Sequence, residues 1–223
     1  MDQSSEPLFF TALQWETVAA AAARIIPTDH DPGATEAGVV GFIDRYLSGI
    51  DYVYANPWGS GFLRLEGRQA EAWSQRIERQ QRRYQDGLRA LDELSASVFG
   101  SDFRTLGPEQ QDAILVELSG RPKPEPVVLD GDVGAADLTQ STEGVVLSQP
   151  VTDEELDFFS TLVLHTRMGF YGDVAYGGNR DQVGWRTIGF PGPASLADTH
   201  GRYSTMDYME EVDYSQRTAS HQG

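Results

Sequence analysis

The chain has 223 residues, of which 39% are hydrophobic, so it can bury a substantial core, and its length suggests one domain. Its 34 acidic residues against 17 basic ones give a formal net charge of -17, which argues against nucleic acid as a partner. Cysteine is absent, so the chain itself offers no disulfide, thiolate metal site or cysteine-held iron–sulfur cluster. No long apolar run occurs, and we expect no membrane anchor.

Five helices are predicted from hydrophobic periodicity and from the residues that begin and end each segment. The first, over about 12–26, opens with a capping box formed by Thr11 and Gln14 and ends where Pro27 forces the preceding residue out of the α region. A turn then leads into a second helix that ends near Gly49. The other three are predicted at about 69–98, 108–118 and 153–171.

Two of these helix starts carry specific signals. Pro108 stands at the expected first position of the fourth helix, and Thr152 with Glu155 forms a second capping box before the fifth. Residues 51–61, rich in aromatic side chains and glycine, predict an irregular loop. Residues 119–150 combine prolines, glycines and acids without a sustained period, which predicts a surface excursion.

The fold class that follows is all-α. We expect an irregular multi-helix domain over residues 1–192, with a long glycine- and aromatic-rich C-terminal loop. Residues 193–223 are acidic and rich in tyrosine at their centre, and they are expected to form an extended tail.

The segment at the end of the fifth helix, residues 169–192, is the most informative part of the sequence. Its glycines indicate positive φ angles or close backbone approach, and its aromatic residues supply large contact areas at low entropic cost. Such a segment is shaped to fit a surface, either that of the chain's own helices or that of a partner, and composition leaves both open. The candidate interface residues are Tyr171, Asp173, Tyr176, Gly177, Gly178, Asn179, Arg180, Asp181, Trp185, Phe190 and Pro191.

These candidates divide by chemistry. Asp173, Arg180 and Asp181 are plausible polar anchors for a partner, although acidic side chains in glycine-rich loops also commonly satisfy turn amides. The aromatic candidates are better suited to buried contact, whether within the chain or across an interface.

The stretch from Gly169 to Gly192 closely resembles the C-terminal motif of the gluconate 2-dehydrogenase subunit 3 family. The N-terminal part resembles the family independently, in what looks like its first helix, turn and second helix. The residues that carry this second likeness are Arg24-Ile-Ile-Pro27, Pro32-Gly-Ala34, Glu36-Ala-Gly-Val39 and Phe42-Ile-Asp44. Two matches in the same order make the resemblance specific, although residues 60–118 agree only in helical character.

The resemblance implies a small subunit with no catalytic, cofactor-binding or metal-binding residues of its own. Its partner would be a large flavoprotein of the glucose-methanol-choline (GMC) oxidoreductase type, which holds FAD and, in many members, an iron–sulfur cluster. That large subunit would oxidise a sugar or sugar acid and pass electrons to an acceptor such as a cytochrome or a quinone. The small subunit would stabilise it.

The resemblance also bears on location. Many small subunits of the family carry a twin-arginine export signal, but no Arg-Arg pair precedes the first helix here. A cytoplasmic complex is therefore expected, for which a soluble glycoside 3-dehydrogenase is an attractive example. The alternative is an exported, periplasmic complex whose signal is removed or is carried by the partner.

Two other functions stay open from the sequence. The chain could be a transient maturation or export escort of the flavoprotein, or a stand-alone carbohydrate-processing enzyme that uses His165 and nearby acids. The four histidines are widely separated and show no metal-binding spacing. His165 follows Leu162 and Val163 on the fifth helix, so we expect a packed or hydrogen-bonded structural residue.

Overall fold

The computed structural model describes residues 7–49, 54–55, 62–121 and 156–190. Its α-helices are α1 (Ala12–Ile25), α2 (Val39–Leu47), α3 (Gly67–Phe99), α4 (Pro108–Ser119), α5 (Phe158–Tyr171) and α6 (Val183–Thr187). Short 3-10 turns lie at Phe103–Thr105, Val174–Tyr176 and Arg180–Gln182. Two strands of two residues each pair antiparallel: β1 (Tyr54–Ala55) lies within the predicted irregular loop, and β2 (Phe62–Leu63) lies directly after it. The all-α prediction is confirmed.

The ends of α1 follow the predicted signals. Thr11 Oγ1 accepts a hydrogen bond from the Gln14 N–H at 3.2 Å, and Gln14 Oε1 accepts one from the Thr11 N–H at 2.9 Å. This reciprocal pair satisfies two backbone donors that a helix start otherwise leaves unpaired. At the other end, Ile26 leaves the helical region, with φ -127° and ψ 87°, directly before Pro27.

Glycine and proline residues determine where the second and fourth helices begin or end. Pro108 is the first residue of α4, as predicted, and Gly120 ends that helix in a left-handed conformation with φ 63°. The second helix begins only at Val39, because Gly38 takes φ 68° and interrupts the helical path. The apolar residues before Gly38 therefore belong to the preceding turn.

The predicted start of the fifth helix is wrong. Leu156 and Asp157 are not helical, and α5 begins at Phe158 with Asp157 as its N-cap residue. The Asp157 carboxylate accepts a hydrogen bond from the Ser160 N–H at 2.6 Å, so Asp157 caps the helix. The sequence pattern assigns that role to Thr152 instead. Thr152 and Glu155 lie outside the described residues. So do most of the predicted excursion and the whole predicted tail.

The core lies between α1, α2, α4 and α5 and one side of α3, from the middle of that helix to its C-terminal part. Large side chains of α2, α3, α4 and α5 and of the 3-10 turn at Phe103 are excluded from solvent, and each fully buried one contributes about 1.5–3 kcal/mol relative to an exposed position. The largest of them are Tyr84, Phe103, Phe170, Ile43, Leu47, Leu91, Ile114 and Leu162.

His165 is a core residue, as expected. It is 1% exposed, and its Nδ1 shares a hydrogen bond of 3.0 Å with the hydroxyl of Tyr84. The two rings are nearly parallel, and the ring of Tyr46 lies 4.9 Å from that of His165. Burial raises the pKa of Tyr84 well above its ordinary value, so the hydroxyl stays protonated, and the tautomer of His165 sets which of the two groups donates.

Two helical glycines provide a test of this packing. A Cβ on Gly87 of α3 would lie 2.0 Å from the ring of Phe158, so Gly87→Ala is expected to destabilise the protein by about 1–3 kcal/mol. The matched control is Gly41→Ala in α2, where the nearest atom is 3.8 Å away, and it should stabilise by about 0.5–1 kcal/mol. Urea unfolding followed by circular dichroism measures both. Equal changes of the same sign would contradict the close packing of α3 on α5.

Candidate functional site: the C-terminal segment

The chain after α5 folds back onto the helices that precede it. The Asn179 N–H donates to the carbonyl of Gly169 at 2.7 Å, and the Arg180 N–H donates to the carbonyl of Ala37 at 3.0 Å. These two bonds tie the segment to α5 and to the turn before α2. Residues 169–192 were predicted to fit either the chain's own helices or a partner. For the inner side of the segment, the structure supports contact with the chain's own helices.

Asn179 is the centre of this arrangement. It is fully buried and left-handed, with φ 47°, a conformation that asparagine tolerates better than most residues. Its side-chain amide donates to the Gly172 carbonyl at 2.9 Å, and its side-chain oxygen accepts from the Gly184 N–H at 2.9 Å. One side chain thus holds both flanks of the loop, and Asn179 is internal rather than available to a partner.

Two glycines allow the close approach. A Cβ on Gly178 would lie 2.1 Å from the Gly169 carbonyl oxygen, and a Cβ on Gly184 would lie 1.9 Å from that of Phe170. Real atoms do not approach so closely, so any side chain at either position would push the segment off α5. Packing within the chain therefore requires a glycine at position 178.

The aromatic candidates are mostly turned inward as well. Trp185 is 7% exposed, and its indole N–H donates to the carbonyl of Tyr171 at 2.8 Å. Phe190 packs edge-on against Trp185 with ring centroids 5.2 Å apart, and Tyr176 packs against the core. These side chains brace the segment, and α6 is held beside the C-terminal end of α5 as a result.

The other candidates lie on the outer side. Tyr171 is 39% exposed, and Asp173, Gly177, Arg180 and Asp181 are also exposed. Pro191 lies outside the described residues. The structure therefore separates the predicted site residues into a buried set that shapes the segment and an exposed set that a partner could contact.

Sequence reasoning missed three exposed apolar residues beside this outer set. Met168, Val174 and Ile188 are 38%, 41% and 57% exposed. A signal was present for Met168, which precedes Tyr171 by three residues and so shares its helix face. Hydrophobic periodicity identifies the core-facing positions of a helix, so it gives no weight to an apolar residue on the opposite side.

The N-terminal stretch that resembles the family is explained by a turn. One oxygen of the Glu36 carboxylate accepts from the Thr28 hydroxyl at 2.7 Å and from the Gly33 N–H at 2.8 Å. These bonds, together with the N–H of Glu36 itself, lower the pKa of the Glu36 carboxyl. Nearby, Arg24 forms a bidentate ion pair with Asp112 at 2.7 and 2.9 Å, which joins α1 to α4. These residues have structural roles.

Within the described ranges, one group of possible metal ligands comes together, formed by Asp29, His30 and Asp31. All three are exposed, and Asp29 already accepts the Asp31 N–H at 2.9 Å to stabilise the turn. Exposed acidic turns of this kind are common and do not define a site. Of the helices that the structure describes, none has both the length and the hydrophobicity required to cross a bilayer.

Comparison with known families agrees with the resemblance seen in the sequence. The model of the family described as gluconate 2-dehydrogenase subunit 3 matches residues 12–192, which include all six helices and the C-terminal segment. The chain belongs to the gluconate 2-dehydrogenase subunit 3 family. A search of curated proteins and a search of solved structures each returned no match.

Proposed function

We propose that this chain is the non-catalytic small subunit of an FAD-dependent sugar or glycoside dehydrogenase, and that it stabilises and assembles a GMC-type flavoprotein subunit. Membership of the gluconate 2-dehydrogenase subunit 3 family carries the proposal, because the family is described as a subunit of a dehydrogenase. On this proposal FAD, and any iron–sulfur cluster, belong to the partner. Electrons would leave through the partner to a cytochrome or another acceptor.

The geometry of the C-terminal segment supports a binding role. Buried bonds through Asn179 and Trp185 hold the segment in one conformation, so its exposed residues are already in position before a partner arrives. A preformed surface loses less conformational entropy on binding than a mobile one. That property suits a subunit whose task is to remain attached.

The position of His165 argues against the stand-alone enzyme. Its ring is buried in the core and its Nδ1 is engaged by Tyr84, so it is not presented to a substrate from solvent. An acid–base residue needs to come within hydrogen-bonding distance of the proton that it transfers.

The test is co-expression with a GMC-type flavoprotein encoded beside this chain, followed by affinity capture through a tag on this chain. We expect a yellow complex of fixed stoichiometry whose flavin absorption bleaches on addition of a sugar substrate. The control is the flavoprotein expressed alone, which should be recovered in lower yield or with less flavin. A colourless monomer would contradict the proposal, and a flavoprotein that matures and is then released would indicate an escort.

A further inference from the structure

Helix α5 is apolar on both of its sides. Its inner side buries Leu162, His165 and Phe170 in the core, which is the side that a helix of a globular protein is expected to make apolar. Its outer side carries Met168 and Tyr171, both exposed. In its fourteen residues the helix has a single charged side chain, Arg167. Arg167 is itself exposed and adjacent to Met168.

Two more exposed apolar residues lie in the segment after the helix. Val174 lies in the 3-10 turn that follows α5, and α6 is fixed beside the end of α5 by the bond from Trp185 to the Tyr171 carbonyl and by the close approach of Gly184 to Phe170. Ile188, directly after α6, is the most exposed of these residues. We call the exposed side chains of Met168, Tyr171, Val174 and Ile188 the α5–α6 face.

Charge is unusually sparse around this face. Residues 158–190 carry three arginines (Arg167, Arg180, Arg186) and two aspartates (Asp173, Asp181), a formal charge of +1, in a chain whose total is -17. Charged residues are depleted at the centres of protein interfaces, because removing a charge from water is costly. The low charge of this part of the chain therefore favours burial of the α5–α6 face against another protein.

Arg180 adds a polar group in the segment after α5. Its backbone N–H is bonded to Ala37, and its guanidinium lies so close to Gly38 that a Cβ there would be 3.0 Å from one nitrogen. The side chain is exposed and lies against the turn before α2. Arginine in such a position is a frequent source of binding energy at interfaces, through paired hydrogen bonds to a carboxylate.

We propose that the α5–α6 face is the surface that docks on the large flavoprotein subunit, and that Arg180 contributes a polar contact to that partner. The inference rests on the proposed function, and family membership supplies the reason for a non-identical partner. A second copy of the chain is the alternative occupant of the face, and the test below distinguishes it.

Hydroxyl-radical footprinting of the full chain, alone and in the co-expressed flavoprotein complex, tests the proposal. We expect Met168 and Tyr171 to be oxidised readily in the free chain and about tenfold more slowly in the complex. Val98, which is 49% exposed at the end of α3, is the control and should react at similar rates in both. Equal rates for Met168 in the two samples would overturn the assignment of the face.

The same measurement distinguishes other occupants. Protection of Met168 in the free monomer would mean that the chain's own C-terminal residues cover the face, and protection that grows with concentration would mean a second copy. Either result overturns the proposal. If no flavoprotein complex forms at all, both the proposed function and the assignment of the face are refuted. If a complex forms but the face is not protected, only the assignment of the face is refuted.

A pair of variants gives an independent readout. Met168→Glu places a charge on the face, and we expect it to weaken binding of the flavoprotein subunit by at least about tenfold. Val98→Glu is the matched control and should leave the affinity unchanged. Both positions are exposed, so thermal unfolding of the isolated variants should match the unsubstituted chain. Unchanged binding by Met168→Glu would contradict the proposal.

Discussion

Replacing Asn179 with alanine is expected to lower the free energy of unfolding by about 3 kcal/mol. The change leaves the buried N–H of Gly184 and the carbonyl of Gly172 without their partners, and each unsatisfied group costs about 1–3 kcal/mol. It also places a residue that disfavours φ 47° in a left-handed conformation. Urea unfolding of the isolated chain measures the loss, and tryptophan fluorescence should report early exposure of Trp185.

Asp181→Ala is the matched control for Asn179. Asp181 is also left-handed, with φ 53°, but it is exposed. Its replacement should therefore cost only the backbone preference, about 1 kcal/mol. If the two variants lose the same stability, the side-chain hydrogen bonds of Asn179 contribute nothing and its role as the centre of the segment is refuted.

Asp44→Ala is expected to lower the free energy of unfolding by a comparable amount, because Asp44 holds the residues before α1. The buried Asp44 carboxylate accepts three backbone N–H groups, from Leu8, Phe9 and Phe10, at distances of 2.7, 3.0 and 2.9 Å. Without it these donors can be satisfied only by water. That requires the segment to detach and Phe10, which is 4% exposed, to leave the core. We expect a loss of about 3–4 kcal/mol.

Asp44→Asn refines this prediction. The amide keeps one oxygen, which can still accept from Phe9 and Phe10, but its NH2 group cannot accept from Leu8. An intermediate loss of about 1–2 kcal/mol is therefore expected. Hydrogen exchange at the three amides provides the local readout. Slow exchange of these amides in Asp44→Ala would show that the carboxylate does not hold the segment.

Local signals in the sequence predicted the helices well. The capping box of α1, the break at Pro27 and the first position of α4 depend on residues within four positions of one another, and each was found as predicted. The start of α5 was missed because two capping signals compete there, and Asp157 rather than Thr152 lies next to the first helical residue. Helix boundaries are decided by such small energetic differences.

The fold-back of the C-terminal segment could be predicted only as one of two alternatives. A glycine shows that the backbone approaches something closely, but it does not say whether that neighbour is in the same chain. The contact of Gly178 with Gly169 and the bond of Arg180 to Ala37 are tertiary facts. Asp44 was missed for the same reason, because a single acid in an apolar stripe gives no indication of which N–H groups it will meet.

Residues near both ends of the described chain bind to α2 or to the turn that precedes it. Asp44 holds the residues before α1, and the turn at Ala37 and Gly38 receives Arg180, which lies more than 130 residues later. During synthesis, α2 therefore emerges from the ribosome long before its last neighbour exists. The domain cannot complete its packing until the C-terminal segment has been translated, so the α5–α6 face is assembled last. A partner that recognises this face would capture finished chains and pass over nascent ones.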